Sequence, residues 1–508
     1  MVDLDGGPLA LEAVEAVARR GEPVALAPSA ERALRAGRVF VDRLAAGAEP
    51  IYGITTGVGK LKDVVIPPGE RADLQRNLVL SHAGGVGPPL AEADVRAIML
   101  LLAASLARGA SGVRPAVVET IVACLNRRVH PVVPEMGSVG ASGDLAPLAH
   151  VALCLLGEGS ASDGDQQIPA AEALARAGVN PLVLQTKEGL ALLNGTHLMA
   201  GHGALTVLDA ARLTRLADVA GAMSLEALMG SNAAFDPRIH GLRPHPGQLA
   251  SAANLVRLTA ESGIIASHRD CTRVQDAYSL RCMPQVHGSA REAVTFARSV
   301  IERELAAVSD NPLVFPADGA VLSGGNFHGE VLGLALDTLT LGLGQLAGIS
   351  ERRIDRLVNP LTNEGLPPFL SPHGGVHTGY MIAQYVAAAL VAELGTLALP
   401  ASVESIPTSG LQEDYNSMAA GSALKARRAA GLARQVLAIE LLLAAQALDF
   451  RAPLRPGRGS AAARDAVRRR IPPLDRDRYL KADLDAALAL CEAETALAAV
   501  EAAIGPLA

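Results

Sequence analysis

Apolar residues recur along most of this chain at the three- and four-residue spacing of helices that cover a core. One such stretch contains Leu205, Leu208, Ala211 and Leu216, and longer apolar runs follow it. This spacing predicts amphipathic or buried helices and not half-buried strands. The later runs cover residues 290–308, 380–399, 422–450 and 480–504.

The first 195 residues follow a different pattern. Short helical patterns alternate there with loops rich in Gly and Pro at residues 52–69, 81–89 and 131–147. We therefore predict a loop-rich N-terminal portion, 1–195, and a helical portion, 196–508. The predicted fold is mainly α, with a long central helix bundle. The Arg-rich stretch 453–473 is predicted to be an exposed connection before the last helix.

Composition favours close packing between these helices. Half of the 508 residues are apolar, which is enough for a large core, but Trp is absent and there are only seven Phe and six Tyr. Helices must then pack through small and aliphatic side chains, which favours a bundle over a β-sandwich. The broad Ala and Leu faces exceed what one chain covers, so we expect the chain to associate with copies of itself.

Charge and cysteine usage exclude several classes of partner. The 45 basic and 52 acidic residues give a net charge of −7 without a basic patch, so we expect a small-molecule ligand and no nucleic acid. Five cysteines without a CxxC pair, and a start without a secretory signal, favour a reduced cytoplasmic protein. Gln384 and Glu393 interrupt the run 380–399, which we interpret as a buried core helix and not a membrane span.

The histidines do not suggest a metal site. All twelve are scattered, and the one pair with His-x-x-x-His spacing, His373 and His377, lies in the Gly-rich stretch HGGVH and not on a predicted helix. His240 and His245 form only a loose pair. We therefore predict structural histidines and no metal.

Residues 137–150, GSVGASGDLAPLAH, carry the least ordinary chemistry of the chain. Attack of the Gly143 amide nitrogen on the Ala141 carbonyl carbon, with loss of two waters, would give a five-membered methylidene-imidazolone. Ser142 would become a dehydroalanine, and Gly143 has no side chain to hinder the attack. A hydrolase nucleophile elbow would need Gly where Asp144 stands. The simpler alternative is a Gly-rich turn in which Ser142 caps a helix.

All fourteen residues resemble the prosthetic-group segment of the aromatic amino-acid ammonia-lyase family, which includes histidine, phenylalanine and tyrosine ammonia-lyases and related aminomutases. Six further motifs follow the family order between Tyr52 and Met418. The resemblance implies a catalytic electrophile made from Ala141, Ser142 and Gly143, with no external cofactor. It also implies a homotetramer whose active sites are assembled from loops of several subunits.

The resemblance assigns roles to residues in four of these motifs. Tyr52 heads the loop YGITTGVGK, which lacks the residues of a phosphate-binding loop, and matches the catalytic base that removes the β-proton. Asn194 matches a residue that hydrogen-bonds near the prosthetic group and substrate, although Asn-Gly alone is only a good turn. Phe327 matches a residue packed by the prosthetic group, where a core aromatic is the simpler alternative.

The longest of these motifs is VQDAYSLRCMPQV at residues 274–286. Gln275 and Tyr278 match residues that contact the electrophile and the reacting centre, so Tyr278 is a predicted catalytic residue. Arg281 matches the residue that binds the substrate carboxylate, and its planar fork suits bidentate pairing in a way that lysine does not.

Two motifs bear on the substrate. Ser81-His82 and Glu413 resemble the members of the family that act on histidine, with His82 bonded to an imidazole and Glu413 pairing with it or handling the departing amine. The resemblance thus implies deamination of L-histidine to urocanate and ammonia. Four residues depart from that pattern: Thr55, Val58, His197 and Tyr415. The alternatives are a tyrosine or phenylalanine ammonia-lyase, a 2,3-aminomutase with the same electrophile, or a non-catalytic helical scaffold.

Overall fold

The computed structural model describes residues 1–164, 166–271 and 273–508. This part of the chain is mainly α-helical, as predicted. The helices before residue 195 are α1 Leu11–Arg20, α2 Pro28–Ala45, α3 Arg71–His82, α4 Glu92–Leu106, α5 Pro115–Asn126, α6 Leu145–Leu155, α7 Ala170–Ala177 and α8 Glu188–Leu193. The later ones are α9 His197–Ala227, α10 Pro237–Gly241, α11 Pro246–Leu258, α12 Gly263–Ala266, α13 Tyr278–Arg281, α14 Met283–Glu304, α15 Glu330–Val358, α16 Met381–Leu397, α17 Ala419–Asp449, α18 Arg458–Arg468, α19 Leu480–Glu492 and α20 Thr495–Ile504.

The strands are short and form small separate sheets. They are β1 Val2–Leu4, β2 Val24–Leu26, β3 Val86–Pro89, β4 His130–Pro131, β5 Pro134–Met136, β6 Ser160–Asp163, β7 Gln166–Pro169, β8 Leu313–Phe315 and β9 Ala320–Leu322. The pair β1 and β2 is parallel. The pairs β3 with β5 and β8 with β9, and the sheet β4-β6-β7, are antiparallel.

The chain divides into two compact units. The first unit comprises Met1–Thr206, Ala297–Asp337 and Pro400–Lys425, and the second comprises Val207–Phe296, Thr338–Leu399 and Ala426–Ala508. The boundary at residue 195, drawn from the change from short helical patterns with loops to long helical patterns, stays a prediction.

In the first unit, Asp144 contacts the N-terminal ends of two helices, α6 and α9. This residue is the N-cap of α6, and its carboxylate accepts hydrogen bonds from the backbone N–H groups of Leu198 and Met199 in the first turn of α9, at 2.9 and 3.1 Å. Those N–H groups have no partner within their own helix, so an acidic side chain satisfies them well. Burial nevertheless raises the pKa of Asp144 to about 6. Residues 141–143 are thereby fixed directly before a helix start.

Two predictions about the C-terminal part of the chain are wrong in detail. The run 480–504 is two helices, because Glu494 adopts a left-handed conformation with φ of 55° between α19 and α20. The Arg-rich stretch 453–473 is not simply an exposed connection, since it contains α18. Ala463, Ala466 and Val467 are buried at helical spacing there, and the arginines between them concealed this apolar stripe.

Apolar helices are buried to different extents. In the described residues, α15 and α17 are long and apolar enough to cross a membrane, but 61% and 78% of their most apolar windows are buried, as in core helices of globular proteins. The prediction that 380–399 is a buried helix holds only in part. In α16, Ala383, Ala387 and Leu394 are buried, whereas Ile382 and Tyr385 are 54% and 61% exposed.

Candidate active site

The segment around Ser142 is held by hydrogen bonds on both sides. The Asn194 side-chain amide donates to the Ser142 carbonyl oxygen at 2.5 Å, and the Asp144 N–H donates to the Gly195 carbonyl oxygen at 2.7 Å. On the other side, the Ser417 hydroxyl donates to the Gly140 carbonyl oxygen at 2.8 Å. The backbone of residues 140–144 is therefore fixed by side chains and backbone from residues distant in sequence.

Only glycine fits at position 143. Its φ is +76°, and a Cβ built there would lie 2.2 Å from the Gly195 carbonyl oxygen. Among the described residues, none hydrogen-bonds to the Gly143 amide nitrogen or to the Ala141 carbonyl oxygen. The two backbone groups that ring closure would join are thus free of competing bonds.

Two cavities meet at Ser142. The larger, of about 660 Å³ and called the apolar cavity below, has seven aliphatic side chains in its lining, and His82 also lines it. The smaller, of about 540 Å³, is lined mainly by polar residues, including Asn416 and Asp414. The two cavities share six of their lining residues: Tyr52, Gly59, Ser142, Asn311, Phe327 and Glu413. This arrangement offers an apolar chamber for a side chain and a polar chamber for charged groups of one small ligand.

Tyr52 lies at the border of the two cavities, and its hydroxyl oxygen accepts a hydrogen bond from the Gly59 N–H at 3.1 Å. Burial raises the pKa of Tyr52 above its ordinary value, and the negative charges of Glu413 and Asp310 raise it further. The Gly59 N–H and the positive charge of Lys62 act in the opposite direction. In the chain alone, Tyr52 is therefore held as the neutral phenol.

The Glu413 carboxylate contacts the Ser142 side chain directly. The Ser142 hydroxyl donates to Oε1 at 2.6 Å, and the Thr408 hydroxyl donates to Oε2 at 2.6 Å. Each carboxylate oxygen thus accepts one short hydrogen bond. Glu413 is thus an acidic group in direct contact with the residue from which the electrophile would form.

His82 ends α3 and faces the apolar cavity. Its Nδ1 lies 2.8 Å from the Leu78 carbonyl oxygen and 3.1 Å from the Ser81 hydroxyl. Because a carbonyl oxygen only accepts, Nδ1 carries the hydrogen in the neutral ring, which leaves Nε2 as an acceptor. The side chain therefore offers a lone pair to a ligand N–H.

The other three predicted residues belong to the second unit. Tyr278 is 70% exposed, and the Arg281 guanidinium lies 4.8 Å from its ring centroid. Gln275 lines a cavity of the second unit next to Asp276. The buried Arg353 contacts the helical turn that carries Tyr278 and Arg281, because its guanidinium donates to the Ser279 carbonyl oxygen at 3.4 Å.

Comparison with known proteins identifies the family. The family model described as "Aromatic amino acid lyase" matches residues 9–469. The chain belongs to the aromatic amino acid lyase family. It is 53% identical over 504 residues to the histidine ammonia-lyase of Gloeobacter violaceus, covering 99% of this chain and 98% of that one. It is 54% identical over 492 residues to the histidine ammonia-lyase of Anaeromyxobacter dehalogenans, covering 95% and 97%.

Solved structures agree with this family. The tyrosine aminomutase of Streptomyces globisporus superposes with a TM-score of 0.93 at 38% identity, covering 99% of this chain and 98% of that one. The histidine ammonia-lyase of Trypanosoma cruzi gives 0.91 at 40% identity, covering 99% and 95%. As an aromatic amino acid lyase, the chain is a carbon–nitrogen lyase.

The four departures noted in the sequence of this aromatic amino acid lyase occupy different environments. The Thr55 hydroxyl accepts from the Ile51 N–H and donates to the Glu49 carbonyl oxygen, both at 2.7 Å. These hydrogen bonds stabilise the loop that contains Thr55. Val58 lines the apolar cavity and Tyr415 the polar one. His197 is buried, and neither ring nitrogen has a hydrogen-bond partner in the described part of the chain.

Sequence reasoning missed several residues of the lyase site. Thr408 bonds to Glu413, and Asn311 lines both cavities while its side-chain oxygen accepts from the Gly324 N–H at 2.8 Å. Lys62 lines the polar cavity. Thr408 lies five residues before Glu413 in the stretch SIPTSGLQEDYNSM, residues 405–418, but nothing in its residue type indicated a contact. Asn311 and Lys62 carried no signal beyond their position in loops.

Proposed function

We propose that this lyase removes ammonia from L-histidine to give urocanate. The observation that carries the proposal is the 2.6 Å hydrogen bond between Ser142 and Glu413, at the border of an apolar cavity that contains His82. An acidic residue and an imidazole acceptor around one small cavity suit a substrate with a polar, nitrogen-rich ring. The identity of 53% to histidine ammonia-lyases over nearly the whole chain supports the same substrate.

The prosthetic group of the proposal is a methylidene-imidazolone formed from Ala141, Ser142 and Gly143, with no external cofactor. The residues fit this group, because Gly143 has no room for a side chain and its N–H is free in the described structure. Asn194 would hold the carbonyl of residue 142. The group supplies an electrophilic carbon that turns the substrate amine into a better leaving group.

Tyr52 is the proposed general base for the β-proton of the substrate. General-base assistance typically contributes about 10²- to 10⁴-fold in rate. The raised pKa of Tyr52 in the isolated chain opposes this role, so the pKa of this phenol must be lower in the working enzyme than in the chain alone. Arg281 is the proposed residue that binds the substrate carboxylate and so positions the substrate.

We propose that the working enzyme is a homotetramer whose sites combine loops of several copies. The catalytic assignment of Tyr278 and the substrate contact of Gln275 depend on this assembly. Exposed apolar side chains on α16, Ile382 and Tyr385, support self-association, because single-chain burial leaves them in water.

The proposed location is the cytoplasm. The five cysteines are all free thiols, as expected where the environment is reducing. The two membrane-length helices, α15 and α17, are mostly buried within the described chain.

A substrate panel tests the function. Purified protein is incubated separately with L-histidine, L-tyrosine and L-phenylalanine, and the ultraviolet absorbance of the unsaturated acid is followed. Formation of urocanate alone supports the proposal. A cinnamate- or coumarate-type product, or a β-amino acid detected by chromatography, would establish an aromatic lyase or an aminomutase, the alternative favoured by the structural similarity to a tyrosine aminomutase.

A further inference from the structure

Thr408 and Glu413 face each other across a tight turn of the first unit. The Thr408 N–H donates to the Glu413 carbonyl oxygen at 2.9 Å, and the two residues form an isolated antiparallel bridge. Between them Ser409, Gly410 and Leu411 have positive φ angles of 51°, 59° and 65°. The backbone therefore brings the two side chains together independently of their own contact.

Asn416 fixes the direction of the hydrogen bond between these side chains. Its Nδ2 donates to the Ile406 carbonyl oxygen at 2.6 Å and to the Thr408 hydroxyl oxygen at 3.0 Å. Because an amide nitrogen only donates, the Thr408 oxygen must accept here, and its own hydrogen is free to go to Glu413. The result is a directed relay from Asn416 through Thr408 to Oε2 of Glu413.

The other oxygen of the same carboxylate faces the reacting position. Oε1 of Glu413 accepts from the Ser142 hydroxyl at 2.6 Å. Before ring closure the relay and Ser142 therefore hold opposite ends of one carboxylate, and once Ser142 has lost its hydroxyl as water the relay is the one of these two contacts that remains. Asn416, 1% exposed, anchors the relay in the protein interior. A glutamate side chain has three rotatable bonds, and loss of the relay would then leave the carboxylate free to turn.

We propose that Thr408 is a positioning residue for catalysis. Its hydroxyl, oriented by Asn416, keeps Oε1 of Glu413 pointed at position 142, where the substrate amine leaves. This inference rests on the proposed function, in which Glu413 acts on the substrate. It predicts that loss of the Thr408 hydroxyl affects turnover more than substrate binding, since the Glu413 charge remains in the site but is no longer held in place.

The test compares three variants by steady-state kinetics on L-histidine. Thr408→Val removes the hydroxyl and keeps the shape, and Thr408→Ser keeps the hydroxyl. Thr120→Val makes the same change in α5, where the hydroxyl, within the described structure, donates only to the Ala116 carbonyl oxygen of its own helix at 2.7 Å. We expect kcat of Thr408→Val to fall about 10- to 100-fold, the range covered by one hydrogen bond to a charged group, with KM within about threefold. Thr408→Ser and Thr120→Val should stay within about threefold of the wild type in kcat.

Two controls separate positioning from a structural role. Each variant is checked for an unchanged thermal midpoint and, by intact mass, for the loss of two waters from the prosthetic-group segment. Unchanged kcat in Thr408→Val would overturn the inference. So would a Thr408→Ser variant as slow as Thr408→Val, since the hydroxyl would then be irrelevant, or a slow Thr408→Val that had not lost the waters.

Failure of the proposed function gives a different result. In that case the wild type itself leaves histidine unchanged and converts another amino acid of the panel. The same variants are then compared on that amino acid, where an unchanged kcat in Thr408→Val would overturn the role of Thr408 by itself.

Discussion

Replacement of Gly143 by alanine should prevent formation of the electrophile. With φ at +76°, an alanine there costs about 1–2 kcal/mol in backbone strain. Its Cβ would also lie 2.2, 2.5 and 2.6 Å from the carbonyl oxygen, carbonyl carbon and nitrogen of Gly195. Backbone atoms have no rotamer by which to move aside, so the 2.7 Å hydrogen bond between Asp144 and Gly195 must break, at about 0.5–1.5 kcal/mol.

The total cost of about 1.5–3.5 kcal/mol is small beside the stability of a typical protein, about 5–15 kcal/mol, so Gly143→Ala should still fold. Relief of the clash nevertheless displaces the backbone at residue 143. Ring closure needs the attacking nitrogen of this residue within about 3–3.5 Å of the Ala141 carbonyl carbon. We therefore expect a folded protein that keeps both waters and does not release ammonia.

Intact mass, confirmed on the proteolytic peptide around residue 142, measures the loss of the two waters. Gly84→Ala is the matched control, since a Cβ there would meet no atom within 4 Å. The control should lose the waters and keep full turnover. A Gly143→Ala protein with the same mass deficit and wild-type turnover would refute the steric reasoning.

Three further predictions concern burial and recognition. Lys187 and Asp310 form a buried ion pair at 2.6 Å, so Lys187→Met, which leaves the Asp310 charge unpaired, should lower the free energy of unfolding by about 3–5 kcal/mol in chemical denaturation. The double variant Lys187→Met with Asp310→Asn should regain most of this loss, and an unchanged unfolding curve for Lys187→Met would contradict the reasoning. Burial lowers the pKa of His197 to about 4 from 6.5, so between these pH values the unfolded chain binds the extra proton and stability falls as pH falls. From pH 7 to pH 4 the wild type should thus lose about 3 kcal/mol more unfolding free energy than His197→Gln, whereas parallel pH curves would show that His197 is not buried as a neutral ring. His82→Leu should lower kcat/KM for L-histidine about 10- to 100-fold, because an imidazole N–H would lose its acceptor; an unchanged value would remove His82 from substrate recognition.

Helical periodicity predicted the fold class well because the Ala and Leu stripes are long. The prediction 422–450 differs by only a few residues from the observed Ala419–Asp449. Local backbone geometry was harder to predict. Glu494 interrupts a continuous apolar pattern by taking a left-handed conformation that L residues seldom adopt, and no residue type around it signals the break.

The motifs located much of the candidate site, but not its connections. Tyr52, Ser142, Phe327 and Glu413 were each named from the sequence, and the structure places them around the same two cavities. The link from Thr408 to Glu413 was not predictable, because it depends on three consecutive positive φ angles that fold the turn back on itself. The raised pKa of Tyr52 also follows from burial, which sequence spacing does not report.

The most direct test of the central claim is a competition assay. Equal concentrations of L-histidine, L-tyrosine and L-phenylalanine are mixed in one vessel with the wild-type protein, and the products are separated and identified by mass at low conversion. Because the three substrates compete for the same enzyme, the product ratio reports their ratio of kcat/KM. The account predicts urocanate and ammonia as the dominant products, and dominance of coumarate, cinnamate or a β-amino acid would contradict it.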